Sequence, residues 1–306
     1  MAVHEHLYGA YEGESQTALS RFLVIPRYAV RDVFRSKLLT TVFILCFIYP
    51  LAAAIMVYLH HNANAISMLQ IDVRELLPID ASFFRTFVGV QAAFAFILTV
   101  LVGPPLISRD LANNALPLYL CRPLARTEYV LGKMAALAFL LSWVTWVPGL
   151  LLFVFQASLS GAAWLWANAW MAWSIFFGFA VWIVLLSLIA LAVSALVKWR
   201  VVASGAILGL FFVPSAFGEI VNELFHVRAG SLVSLWASMS NNVYGLFGLF
   251  ERHVGTVRTT TGNGGRTAEI ALIEPPLWAS WLVIVLACAV CVAVLSRKVR
   301  AYEVIK

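Results

Sequence analysis

Six stretches of the chain are almost unbroken in apolar residues, at about 38–59, 84–107, 131–156, 172–197, 201–217 and 277–296. Each approaches the ~20 residues an α-helix needs to cross the hydrocarbon core of a bilayer. The fifth is the shortest and extends to Val221 if Pro214 kinks it without ending it. No Asp, Glu, Lys, Arg or His lies near the middle of any stretch, where each would cost roughly 2.5–3.5 kcal/mol on insertion. The pattern predicts an all-α polytopic membrane protein with six transmembrane helices. It divides the chain into a tail and amphipathic helix at 1–37 and a transmembrane domain at 38–306.

The segments between the stretches carry their own patterns. Residues 1–18 are polar and read as a terminal tail, in which His4-Glu5-His6 has no framework to hold a ligand. From Leu19 to Lys37, Pro26 can open a helix on which Arg27, Arg31 and Arg35 form one basic stripe beside Phe22, Val30, Val33 and Phe34. This predicts a helix lying in the membrane interface with its arginines at anionic headgroups, or else the start of the first span. Gly103 to Lys133 is a polar, basic connection. Pro104 and Pro105 end the second apolar stretch, 106–116 reads as a short helix closed by Pro117, and Arg122-Pro123 forces an extended or turn step. Such a helix, held between two breaks, can pass force from a soluble partner to the spans; an ordinary solvated loop is the alternative. In the long segment 218–276, Glu219 to Phe250 is apolar and aromatic and predicts re-entrant or interfacial helices. Arg252 to Arg266 has the composition of a hairpin or loop tip.

Charge orients these elements. Of the 21 Lys and Arg residues, 15 fall on the N-terminal flank, the 103–133 connection, the turn at Lys198 and Arg200, and the C-terminus. Only six, Arg74, Arg85, Arg228, Arg252, Arg258 and Arg266, fall on the opposite side. The positive-inside rule then expects both termini and the 103–133 connection in the cytoplasm. No signal peptide is expected, because the first apolar run starts near Leu38 after several charges.

Composition agrees, with 62% hydrophobic and 12% charged residues and a mean hydropathy of +0.89. The charged share is about half that of an average soluble domain. Trp164, Trp166, Trp170 and Trp173, with Trp278 and Trp281, gather at one level and read as interfacial anchors. Trp143 and Trp146 lie inside the third span, facing either a protein interior or pathway, or lipid. Cys288 and Cys291 have the spacing of a redox or metal pair but sit inside a span, where small packing residues are the simpler reading, and no metal site is expected. Gly205 and Gly209 have the spacing that lets a second helix approach closely. No GxxxxGK[ST] occurs: Gly132-Lys133 lacks the upstream glycine and is followed by Met134. No HExxH is present and no Ser-His-Asp order stands out, so the chain is expected not to be an enzyme.

The 103–133 connection resembles the cytoplasmic loop of ABC-2 type permeases, the membrane subunits of one class of ATP-binding-cassette transporter. The resemblance is carried by Ser108-Arg109-Asp110, by Ala115-Leu116-Pro117-Leu118-Tyr119-Leu120, by Arg122-Pro123 and Arg126, and by Tyr129-Val130-Leu131 and Gly132-Lys133. The RDVFRSKLL run at 31–39 resembles the elbow helix before the first span of the same family. The resemblance implies that Arg109, Asp110, Pro117, Arg122, Pro123, Arg126, Tyr129, Gly132 and Lys133 form a coupling loop for a separate ATPase. ATP and Mg are implied on that partner and no cofactor in this chain. Also implied are two ATPase subunits, a second permease copy or a paralogue, a bacterial plasma membrane and an exporter; no nucleic-acid partner is implied. In this family the fifth span lies near the dimer centre, which makes Gln91, Gly205 and Gly209 candidates for a dimer or pathway face. Gln91 satisfied within its own bundle is the other reading.

Two other functions stay open: a membrane scaffold that drives envelope machinery without moving a solute, and a secondary carrier. The absence of an ionisable residue at the span centres weighs against the carrier.

Overall fold

The computed structural model describes residues 18–62, 78–113, 126–197, 199–225, 228–250, 256–260, 267–271 and 275–298. Six of its helical segments are long and apolar enough to cross a membrane. The chain begins with α1 (Ala18–Arg35), on which Arg27, Arg31 and Arg35 are all exposed. The first span is two helices, α2 (Lys37–Leu45) and α3 (Ile48–His61), broken at Cys46 and Phe47. The second is α4 (Ala81–Val102), whose first turn is capped by the Asp80 carboxylate accepting from the Ser82 and Phe83 amides. After Gly103 and Pro104 comes the short helix α5 (Pro105–Ala112).

The third span is again double, α6 (Arg126–Val144) and α7 (Trp146–Ser160), broken at Thr145. The fourth is one helix of 35 residues, α8 (Ala162–Leu196). It starts ten residues before the expected position, and the third span runs on to Ser160. The whole turn between them is Gly161, at φ 91°, a conformation glycine adopts without steric cost. The Trp164–Trp173 cluster therefore lies on the first turns of a helix and not in a loop, with Trp166 and Trp173 exposed.

The fifth span, α9 (Arg200–Phe225), passes through Pro214 and continues beyond the expected end at 217. Its extension is held by a 3-10 turn at Ala229–Val233, where Gly218 and Gly230 meet backbone to backbone and Asn222 accepts the Gly230 amide at 2.8 Å. A short helix α10 (Leu235–Leu246) follows, capped by Ser234. An antiparallel hairpin, β1 (Thr256–Thr260) with β2 (Thr267–Ala271), pairs Thr256 with Ala271 and Thr260 with Thr267. The sixth span is α11 (Leu277–Lys298).

The fold is thus all-α, with the hairpin the only sheet among the described residues. The fourth span is its centre. In its most apolar window 72% of residues are buried, against 17% in the first span and 22% in the fifth and in the sixth. The three outer spans present aliphatic side chains such as Leu51, Val213 and Val285 outward, as lipid-facing helices do.

Candidate functional site: the α5 helix and its clasp

α5 is built from the sequence of its own break. A helix leaves its first amides without intrahelical acceptors, and a proline at the cap position has no side-chain oxygen to supply. Here Ser194 of the fourth span supplies it. The fully buried Ser194 hydroxyl accepts from the Ile107 and Ser108 amides at 3.2 and 2.9 Å and donates to the Pro104 carbonyl at 2.6 Å. The same carbonyl accepts from the Ser108 hydroxyl at 2.6 Å. Gly103 lies so close to the fourth span that a Cβ there would stand 2.6 Å from the Ala190 Cβ. The start of α5 is therefore pinned to the middle of the molecule.

Its far end is pinned to the third span. Asp110 Oδ2 accepts the Tyr129 hydroxyl at 2.6 Å and pairs with Lys133 Nζ at 2.8 Å. Only 16% of the Asp110 side chain and 12% of the Lys133 side chain are exposed, so the pair is largely shielded from solvent. Tyr129 is buried beneath it, with the ammonium 5.6 Å from its ring centroid. One turn along, Gly132 is where α1 crosses α6: a Cβ there would meet the Ile25 Cβ at 3.1 Å. A load on α5 thus reaches the second span directly, the third through Asp110 and the fourth through Ser194.

The nine coupling-loop residues named from sequence fall out as follows. Asp110, Tyr129, Gly132 and Lys133 come together. Asp110 turns toward Tyr129 and Lys133. Arg109 falls in α5 and Arg126 begins α6. Pro117, Arg122 and Pro123 lie outside the described residues. Ser194 went unrecognised; the only trace of it is a serine, like Ser187 seven residues earlier, in an otherwise aliphatic run.

Gln91 is not on an open face. It is fully buried, and its Nε2 donates to the Cys46 carbonyl at 2.9 Å and the Val144 carbonyl at 2.6 Å. Those two carbonyls have a common origin. Pro50 stands four residues after Cys46 and Pro148 four after Val144, and a proline cannot donate to the carbonyl four residues back. Both broken spans thus turn an orphaned carbonyl toward one amide group. A second cross-link joins the second and fourth spans, where the Trp182 indole N–H donates to the Ala92 carbonyl at 3.0 Å. Gly205 and Gly209, by contrast, have open space where a side chain would stand. They share a face of α9 with the exposed Val201, Phe212 and Val213, while Ala203, Ile207 and Phe211 face inward.

The family model for ABC-2 family transporter proteins matches residues 24–233, more than two thirds of the chain. The chain belongs to the ABC-2 transporter family. No curated protein matches it. The match runs from α1 through all of the first five spans and therefore contains the whole α5 clasp. As an ABC-2 type permease the chain is a multi-pass membrane component of a transporter, and transport in this family is not chemistry performed by the permease. Among the described residues no group of His, Cys, Asp and Glu could hold a metal, and Cys46, Cys288 and Cys291 are free thiols.

Proposed function

We propose that this ABC-2 permease is the membrane half of an exporter in a bacterial plasma membrane, with both termini in the cytoplasm. Two copies, or one copy and a paralogue, work with two separate ATPase subunits that carry ATP and Mg. The observation that carries this reading is the double pinning of α5. A helix of eight residues projecting between spans has no core of its own to stabilise it, yet this one is tied to three spans through buried groups. That is the construction expected of an element that transmits displacement. ATP-driven closure of the partner subunits would press on α5 and on the Arg109, Arg122 and Arg126 region, and the second, third and fourth spans would shift together.

The exposed arginines of α1 support an interfacial elbow that steadies the cytoplasmic base of the third span. The open Gly205–Gly209 face of the fifth span is the surface on which the second copy would pack. The 3-10 turn and α10 would form the outer cap before the sixth span.

The test is purification in mild detergent, with mass spectrometry and an ATPase assay on what co-purifies. A stoichiometric ABC ATPase, lost when residues 106–126 are altered, is the expected result. A clean permease with no ATPase, isolated from cells that express its genomic neighbours, would overturn the reading.

A further inference from the structure

A cleft of about 610 Å³ lies between α1, the start of α2, α5 and the start of α9. Its walls are of two kinds. Leu38, Leu101, Leu106 and Val201 line it with aliphatic surface, and Leu38 and Val201 are 61% and 74% exposed at its mouth. Arg35 and Arg200 also line it, both exposed. Among the described lining residues the ion pair of Lys133 with Asp110 cancels itself, and the other charged groups are the two guanidinium groups and the Asp32 carboxylate. The first turn of α9 also ends here, so the positive end of a 26-residue helix adds to the field.

An exposed aliphatic mouth with two arginines in the same lining matches a molecule with an apolar body and an anionic head. The geometry points to a site for a lipid of the cytoplasmic leaflet with an anionic, phosphate-bearing headgroup, held by Arg35 and Arg200 with its chains against Leu38, Leu101 and Val201. This assignment rests on the cytoplasmic placement of α5 proposed above. A soluble phosphate compound would use the arginines alone and leave the aliphatic wall wet. Because the cleft is bounded by α5, its width follows the position of the coupling helix, and lipid occupancy and ATPase engagement would then influence each other.

The test uses the full-length protein in phosphatidylcholine vesicles carrying a minor fraction of photoactivatable phosphatidylglycerol, with the cross-linked peptides mapped. Label is expected on the peptides around 35–39 and 200–204. Arg35→Gln with Arg200→Gln should reduce it roughly 25-fold, at about fivefold for each basic group at a lipid surface. Lysine at both positions should retain most of it. Leu101→Trp, which fills the cleft and keeps both arginines, should also abolish label, and it decides the matter if the double glutamine variant does not fold. Equal labelling of the glutamine variant, equal labelling by photoactivatable phosphatidylcholine, or label spread evenly over the outer spans would overturn the site. Competition by excess glycerol phosphate would assign it to a soluble phosphate and overturn the lipid. No ATPase enters this assay, so its failure and the failure of the ATPase purification are separate results.

Discussion

The Gln91 amide lies 2.6 Å from the Val144 carbonyl, in the second and third spans respectively, and the same nitrogen lies 2.9 Å from the Cys46 carbonyl in the first. One fully buried side chain thus satisfies the two acceptors that Pro50 and Pro148 release. The break points of two helices are thereby fixed to a third at the same depth.

Gln91→Leu should leave both carbonyls buried and unpaired, at about 1–3 kcal/mol each. The expected outcome is a lower unfolding temperature in detergent. A double-mutant cycle is the sharper check. Pro148→Ala returns a helical donor to Val144, so Gln91→Leu should cost measurably less in that background. Simple additivity of the two would show that the shared carbonyl is not the link.

Ser194→Ala removes the cap of α5 from outside the helix. A lost N-cap costs roughly 1 kcal/mol, too little to unfold the protein. Amide hydrogen exchange should quicken at Ile107 and Ser108 in α5 with little change in the fourth span, and ATP-driven transport should fall more than stability does. Unchanged exchange at those two amides would refute the capping role.

The Asp110 clasp separates charge from hydrogen bonding. Asp110→Asn keeps an acceptor for Tyr129 but gives Lys133 no counter-charge, whereas Asp110→Ala loses both, so alanine should be the more damaging. Coupling between Asp110 and Lys133 in a stability cycle should fall in the ~0.5–3 kcal/mol range of groups in direct contact. A value near zero would mean that the pair behaves as a surface ion pair.

Two glycine positions should behave in opposite ways. Gly103→Ala drives a methyl group into Ala190 at 2.6 Å, and overpacking of this kind costs typically about 1–3 kcal/mol. Gly205→Leu meets open space, so the unfolding temperature of the single chain should hold. If the fifth span is the dimer face, the dimer fraction in size-exclusion chromatography with light scattering should collapse.

The parts of this structure written in one dimension were legible in the sequence. The spans announced themselves because nothing competes with ~20 apolar residues for the bilayer interior, and α5 because prolines bracket it. The family resemblance implies one shared loop for Lys133 and Tyr129. Their partner Asp110 was named as well, but which way it faces depends on how α5 rolls against α6, and spacing does not report that. Ser194 was hidden for a similar reason, since a lone hydroxyl in a buried helix usually bonds its own backbone. Pro50 and Pro148 identify their orphaned carbonyls by counting back four residues, but only the assembled bundle shows that both point at Gln91. The Trp-rich 162–171 run looked like a connection because its hydropathy dips, although no residue in it breaks a helix.

Gly161 carries one more consequence. A hairpin whose entire turn is a single residue has no slack, so its two arms cannot part at that end: a tilt of the third span is handed on to the fourth, and a longer linker inserted there would free one from the other.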